Sequence, residues 1–173
     1  MKKITLFLAV TLVANTITAE TNHPFLETDN DSLRLAELNE YWEELSKTVI
    51  EGDFEGYGTA YHQDAVVIFA TGKNKTSIPL IKALARWKQG FDDTKTGKNK
   101  AGVAFRFSQR IGDDTTAHET GIFNYWTSDI NGKNNQQVTV HFEMLLVKKD
   151  GKWLGVMEYQ KQPATLEEWN SLE

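Results

Sequence analysis

The spacing of hydrophobic positions changes period along this chain. From about Asp31 to Glu51, Leu35, Leu38, Trp42, Leu45 and Val49 recur at alternating steps of three and four. That spacing predicts one long helix with a single apolar stripe, capped by Asp31 or Ser32 and ended at Gly52. Asp53 is placed to cap a shorter second helix running through Tyr61. Ala65 to Ala70 is a short apolar run and reads as a strand, followed by a loop at Thr71 to Lys75. Thr76 or Ser77 then caps a third helix, with Pro79 tolerated in its first turn. Ile81, Leu84, Trp87 and Phe91 are expected along its inner side.

After the polar loop Asp92 to Lys100 the period drops to two. Val103, Phe105 and Phe107 point one way, while Arg106, Ser108 and Arg110 point the other. A strand at about Thr116 to Thr127 precedes the turn signal Asn131-Gly132. Val138 to Lys149 and Lys152 to Gln160 form a hairpin about Asp150-Gly151. Thr165-Leu166-Glu167-Glu168 is a capping box for a last helical turn. Strands joined by short turns run antiparallel. Three helices gathered on one face of such a sheet make an α+β domain.

The hairpin distinguishes two faces of that sheet. With Asp150-Gly151 as a two-residue turn, Lys149 faces Lys152. Val140, Phe142, Met144, Leu146, Trp153, Gly155, Met157 and Tyr159 then share one face, almost wholly apolar, which should pack on the helices. His141, Glu143, Leu145, Val147, Leu154, Val156, Glu158 and Gln160 share the other. Leu145, Val147, Leu154 and Val156 form an apolar block at its turn end, which predicts a sheet-to-sheet homodimer. In this register Glu143 lies opposite Glu158, with His141 beside them. Two carboxylates that close raise one another's pKa, which is one way to make an acid/base pair. Ladders with Arg106, Arg110 or lysines are the plainer reading.

Composition narrows the setting. Lys2 and Lys3 precede an apolar stretch, Ile4 to Val13, and a small, polar segment ending at Ala19. This is the pattern of a secretory signal, residues 1–19, followed by a flexible lead-in at 20–30 and one domain over 31–173. The expectation is a secreted or periplasmic protein with no membrane association after cleavage. There are 24 acidic residues against 19 basic, a net charge of −5, and Lys2 and Lys3 would leave with the signal. An acidic domain without a basic run is a poor nucleic-acid binder. The chain has no cysteine, so neither disulfides nor thiolate metal sites are available. His23, His62, His118 and His141 make no compact ligand spacing, and no phosphate loop, nucleophile elbow or dinucleotide fingerprint is present. No metal and no cofactor is expected.

Two motifs carry a resemblance. Val147-Lys148-Lys149-Asp150-Gly151-Lys152-Trp153-Leu154-Gly155-Val156 is similar to the basic–basic–Asp–Gly–Lys–Trp hairpin of the nuclear transport factor 2-like superfamily. Gly52-Asp53-Phe54 through Asp64-Ala65-Val66 resembles that superfamily's passage from helices into the first strand. The likeness covers most of Leu33 to Gln162. It includes SnoaL-like proteins, ketosteroid isomerases and the association domains of calcium/calmodulin-dependent kinases. It implies a cystatin-like cone, a strongly bent, mainly antiparallel sheet wrapped round three helices with an internal pocket. Aligned on the motifs, Phe69 stands near the isomerases' catalytic carboxylate and Leu45 near their oxyanion-stabilising tyrosine. Asn124, Met144 and Gln160 stand near the kinase domains' pocket arginines. None of those groups is present here, which argues against both inherited chemistries.

The pocket that the resemblance implies would be lined by Phe69, Trp87, Phe91, Asn124, Trp126, Phe142, Met144 and Tyr159, apolar walls with few polar handles. Three functions follow as expectations. The first is an exported domain binding an apolar or aromatic small molecule. The second is a cofactor-independent enzyme of SnoaL-like type, an isomerase, lyase or hydrolase, using Glu143, His141 or Glu158. The third is a homodimeric interaction module with a filled core.

Overall fold

The computed structural model describes residues 29–133 and 135–172. The expected signal, and the lead-in as far as residue 28, lie outside them. Helix α1 (Asp29–Glu51) begins slightly before the predicted caps. Its buried positions are Arg34, Leu38, Trp42, Leu45 and Val49, the expected stripe with Arg34 in place of half-buried Leu35. Gly52 closes the helix at φ 68°, where a Cβ would run into the backbone of Phe91 and Lys95. Asp53 caps α2 (Phe54–Thr59) by accepting the Gly56 N–H at 3.0 Å.

The boundaries of the second and third helices differ from expectation. Tyr61 does not end the second helix. It opens strand β1 (Tyr61–Phe69), pairs with Gly155 and is 5% exposed. Burial of that ring and a ladder partner outweigh one more helical turn. Thr76 and Ser77 do not cap the third helix either. Thr76–Pro79 is strand β2, antiparallel to β1 at the sheet edge, where a proline removes no needed donor. Helix α3 therefore spans Leu80–Lys95. Leu80 and Ala83 are its buried residues, and Ile81, expected inside, is 70% exposed.

Four long strands follow: β3 (Asn99–Gly112), β4 (Thr116–Asp129), β5 (Gln136–Lys149) and β6 (Lys152–Pro163), then the short α4 (Leu166–Ser171). The sheet order is β2-β1-β6-β5-β4-β3, antiparallel except where β1 runs parallel to β6. Helix α3 packs on both β1 and β3, four strand spacings apart. A flat sheet would separate those strands by about 19 Å, nearly twice a helix diameter. The sheet is therefore bent around the helices. Its concave face carries Val140, Phe142, Met144 and Leu146, each at most 2% exposed, against Leu38, Trp42 and Leu45.

Three bulges in the antiparallel ladders, at Ser108, Val156 and Lys161, break the strict alternation read from the sequence. In β3, Ser108 is the extra residue between the pairs Phe107↔Gly121 and Gln109↔Thr120. Arg106 therefore points outward but Arg110 points inward, its guanidinium 4.4 Å from the Phe107 ring centre and Nε 2.7 Å from Glu119 Oε2. In β6, Val156 is the extra residue between Leu146↔Gly155 and Leu145↔Met157. The hairpin turn itself is as expected: Asp150 and Gly151 both have positive φ, and Lys149 pairs with Lys152. Between Val156 and a second extra residue, Lys161, however, the faces are swapped. Met157 and Tyr159 pair with Leu145 and Glu143 on the convex face, while Glu158 and Gln160 pair with Met144 and Phe142 on the concave one.

Helix α4 has the predicted capping box between Thr165 and Glu168. It lies on the convex face. Arg106 Nη1 donates to the Trp169 carbonyl at 2.8 Å and its guanidinium covers the Trp169 ring, while Glu168 meets His141 at 3.2 Å.

Leu38 is fully buried, so Leu38→Ala should cost about 2–5 kcal/mol of folding free energy. Ile81→Ala should stay within about 0.5 kcal/mol, because the side chain already stands in water. Urea unfolding of both variants checks the inside and outside of the two helices.

Candidate functional site

Between the helices and the concave face lies a cavity of about 410 Å3. Helix α1 supplies Trp42 and Leu45 and α2 supplies Tyr57 because each packs its apolar side towards the bent sheet. Trp87 and Phe91 of α3 close the opposite side. Tyr57 holds both, with ring centres 5.9 Å from Trp87 and 5.1 Å from Phe91. Phe105, Phe123 and Phe142 form a cluster on the sheet side, with Phe142 5.6 Å from Phe105 and 5.9 Å from Phe123. Thr71, Arg86, Gly90 and Val138 also border the cavity and are exposed, so they mark where it meets solvent.

Of the lining residues expected from sequence, Trp87, Phe91, Phe142 and Met144 border the cavity. The other four do not. Phe69 packs edge-on against Trp87 at 6.0 Å, with the Arg86 guanidinium over its ring. Asn124 alternates with the inward Phe123 and Tyr125, so it faces the convex side, where it accepts from Gln137 Nε2 at 2.9 Å. Trp126 has the same outward parity, is 42% exposed and lies across Gly102. Tyr159 is turned out by the Val156 bulge.

The same bulge places Glu158 in the cavity wall. Its side chain is 7% exposed and held by two donors: Tyr61 OH to Oε2 and Gln160 Nε2 to Oε1, both at 2.7 Å. The Tyr61 proton is engaged with the carboxylate, so Tyr57 OH, 3.1 Å away, donates to the Tyr61 oxygen. A chain of hydroxyls thus runs from Tyr57 through Tyr61 to the carboxylate. Burial pushes the Glu158 carboxyl above its ordinary range, and the bonds from Gln160 and Tyr61 only partly oppose this. Burial also raises Tyr41, Tyr57 and Tyr61, so these phenols stay protonated and act as donors.

The three carboxylate and imidazole candidates are therefore dispersed. Glu143 is opposite Tyr159, not Glu158, and sits on the convex face. Its hydrogen bond from Lys161 at 2.6 Å holds the carboxyl below the usual range, with His118 contributing. His141 is on the convex face against Glu168. Glu158 alone of the three borders the cavity. A second inward acid, Glu119, is fully buried and accepts from Trp42 Nε1 at 3.2 Å and from Arg110 Nε, forming a structural tie between α1 and the sheet. Sequence periodicity missed both acids' settings, along with the cavity walls supplied by Trp42, Tyr57, Tyr61 and Phe105. The one local signal was Gly155, since glycine inside a strand often accompanies a bulge. Among the described residues, no group of three or more His, Asp or Glu side chains converges as a metal site would require.

The raised Glu158 pKa has a consequence for stability. A carboxyl whose folded pKa exceeds its unfolded one favours folding at acid pH, and that contribution is lost as pH rises through the folded value. Tyr41, Tyr57, Tyr61 and Gln160 are its neighbours, and Arg86 borders the same cavity from the rim. Glu158→Gln should therefore melt at a higher temperature than the parent at pH 8. The gap should close below about pH 4, where the carboxyl is protonated in both folded and unfolded chains. Thermal melts across that range check the sign; a variant less stable than the parent at pH 8 would contradict it.

No protein-family model and no curated protein matches the chain. Solved structures do. One is a putative calcium/calmodulin-dependent protein kinase II association domain from Xanthomonas campestris, 19% identical over 84% of this chain and 97% of that one, TM-score 0.53. Another is an NTF-2-like protein of unknown function from Shewanella oneidensis, 15% identical over 74% and 98%, TM-score 0.55. A third, from Catenulispora acidiphila in complex with S-DNPA, is 17% identical over 73% and 91%, TM-score 0.55. With its bent six-stranded sheet around α1, α2 and α3, this chain has the nuclear transport factor 2-like fold.

Proposed function

We propose that this protein is an exported small-molecule-binding domain whose ligand occupies the aromatic-lined cavity between α3 and the sheet. The observation that carries this reading is the cavity itself. At about 410 Å3 it falls within the range of ligand pockets, with mostly apolar walls and a few polar groups converging at Glu158. A filled core, which an interaction module would require, does not fit this space. A ligand complex of the Catenulispora acidiphila protein with the same fold supports binding as a use of this architecture. Export rests on the pattern Lys2 to Ala19.

The second reading is a cofactor-independent enzyme of SnoaL-like type. Glu158 favours it, because a buried carboxylate with a raised pKa in a cavity wall is what a general base requires. Both readings use the same pocket.

N-phenyl-1-naphthylamine, an uncharged apolar fluorophore, tests the pocket. It should bind saturably at one site per chain. Val103→Trp, which projects an indole into the cavity, should weaken it at least tenfold. No saturable binding, or binding indifferent to Val103→Trp, would overturn the reading.

We also propose a homodimer through Leu145, Val147, Leu154 and Val156. The convex face supports it: α4 covers the region near His141 and Arg106, while Leu145 is 40% exposed. Light scattering at tens of micromolar should give twice the chain mass, and Leu145→Lys should halve it without affecting the fluorophore site. A monomeric parent would defeat this proposal.

A further inference from the structure

The cavity's polar end has an uneven charge balance. Glu158 has two hydrogen-bond donors, both neutral, and no cationic side chain lies within ion-pair distance of it among the described residues. Elsewhere in the fold the inward carboxylate is treated differently: Glu119 is fully buried too, but Arg110 sits 2.7 Å from it. An ionised carboxylate buried without a counter-charge is costly, and neutral hydrogen bonds offset only part of that cost. Through the Tyr61 hydroxyl, Glu158 is joined to a run of aromatic rings that border the same cavity. Tyr61 touches it, Tyr57 contacts Tyr61, and Trp87 and Phe91 pack against Tyr57. Aromatic faces present negative potential and favour a cation over an anion.

We infer that the cavity takes an apolar organic cation, an ammonium compound, with its positive charge set against Glu158 and enclosed by Tyr57, Tyr61 and Trp87. This deepens the binding reading above and rests on it. Among the described residues Arg86 is the one cationic group bordering the cavity, and its position does not oppose the assignment. Its side chain is exposed at the rim, over Phe69, where water and salt screen it. Glu158 acts from inside, where the effective dielectric is lower and each charge interaction correspondingly larger. A ligand cation supplies at Glu158 the partner that Arg110 supplies at Glu119. The apolar remainder of the ligand would lie along Phe105, Phe123 and Phe142.

The test uses two probes of one shape: phenethyltrimethylammonium and its uncharged isostere with carbon in place of nitrogen. Each is titrated calorimetrically into the parent protein, Glu158→Gln and Arg86→Gln. The inference expects the parent to bind the ammonium at least tenfold more tightly than the isostere. Glu158→Gln should abolish that preference while leaving isostere affinity within about twofold. Arg86→Gln should leave the preference intact. Equal affinity of the parent for both probes, or a preference that survives Glu158→Gln, would overturn the cation assignment while the pocket stands. Binding of neither probe, together with loss of the fluorophore site, would remove the pocket reading as well.

Discussion

One residue inserted into one strand sets the chemistry of this fold. Side chains of a β-strand alternate with a period of two, so a single extra residue exchanges the two faces until a second one, here Lys161, restores them. Val156 is the first of the two. Without it, Met157 and Tyr159 would continue the apolar concave face begun by Trp153, and the cavity would have no acid. With it, Glu158 and Gln160 are turned inward beside Phe142 and Met144, and two apolar residues are displaced to the convex face. Burying a glutamate in place of a methionine is unfavourable as packing. The arrangement holds because Tyr61 and Gln160 meet both carboxylate oxygens and because β1 and β5 fix β6 on either side.

Much of this architecture was legible in the chain. The stripe Leu38, Trp42, Leu45 and Val49 has the helical period, and those residues are the ones buried. The motif at Lys148 to Trp153 marks a tight hairpin, and Asp150 and Gly151 adopt the positive φ values that such a turn requires. The capping box at Thr165 and Glu168 depends on a local pattern of residue types and formed as read. The sites where periodicity misled are those where a longer-range contact decided the outcome. Tyr61 has helix-compatible neighbours, but its ring has a place in the core and its backbone a partner in Gly155. Ile81 looks like a core residue, yet Leu80 beside it takes the inward position. Nothing in the alternation of Val138 to Gln160 announces the bulge, because the residues it displaces outward, Met157 and Tyr159, are as apolar as those it leaves inside.

The inward charges also show how similar residues acquire different uses. Arg110 and Glu119 are brought together by the Ser108 bulge, and Trp42 adds a third member by donating its indole N–H. Every member belongs to an element of the scaffold, and the set joins α1 to β3 and β4. Glu158 reaches the same concave face by the same device, a bulge, but meets only neutral groups. One acid has its counter-charge from the scaffold; the other has none and borders open space.

Trp42 belongs to both settings, since its indole N–H is tied to Glu119 while its ring forms part of the cavity floor. That floor is consequently stiff: shifting it would break a buried ion-pair network. Helix α3 is held differently. Its buried anchors, Leu80 and Ala83, lie near its start, and its later part leans on half-buried aromatic contacts through Trp87 and Phe91. Because the backbone of α3 at Phe91 and Lys95 also lies against Gly52, guests of different girth would be accommodated by turning the Trp87 and Phe91 rings, with the sheet side acting as a fixed template.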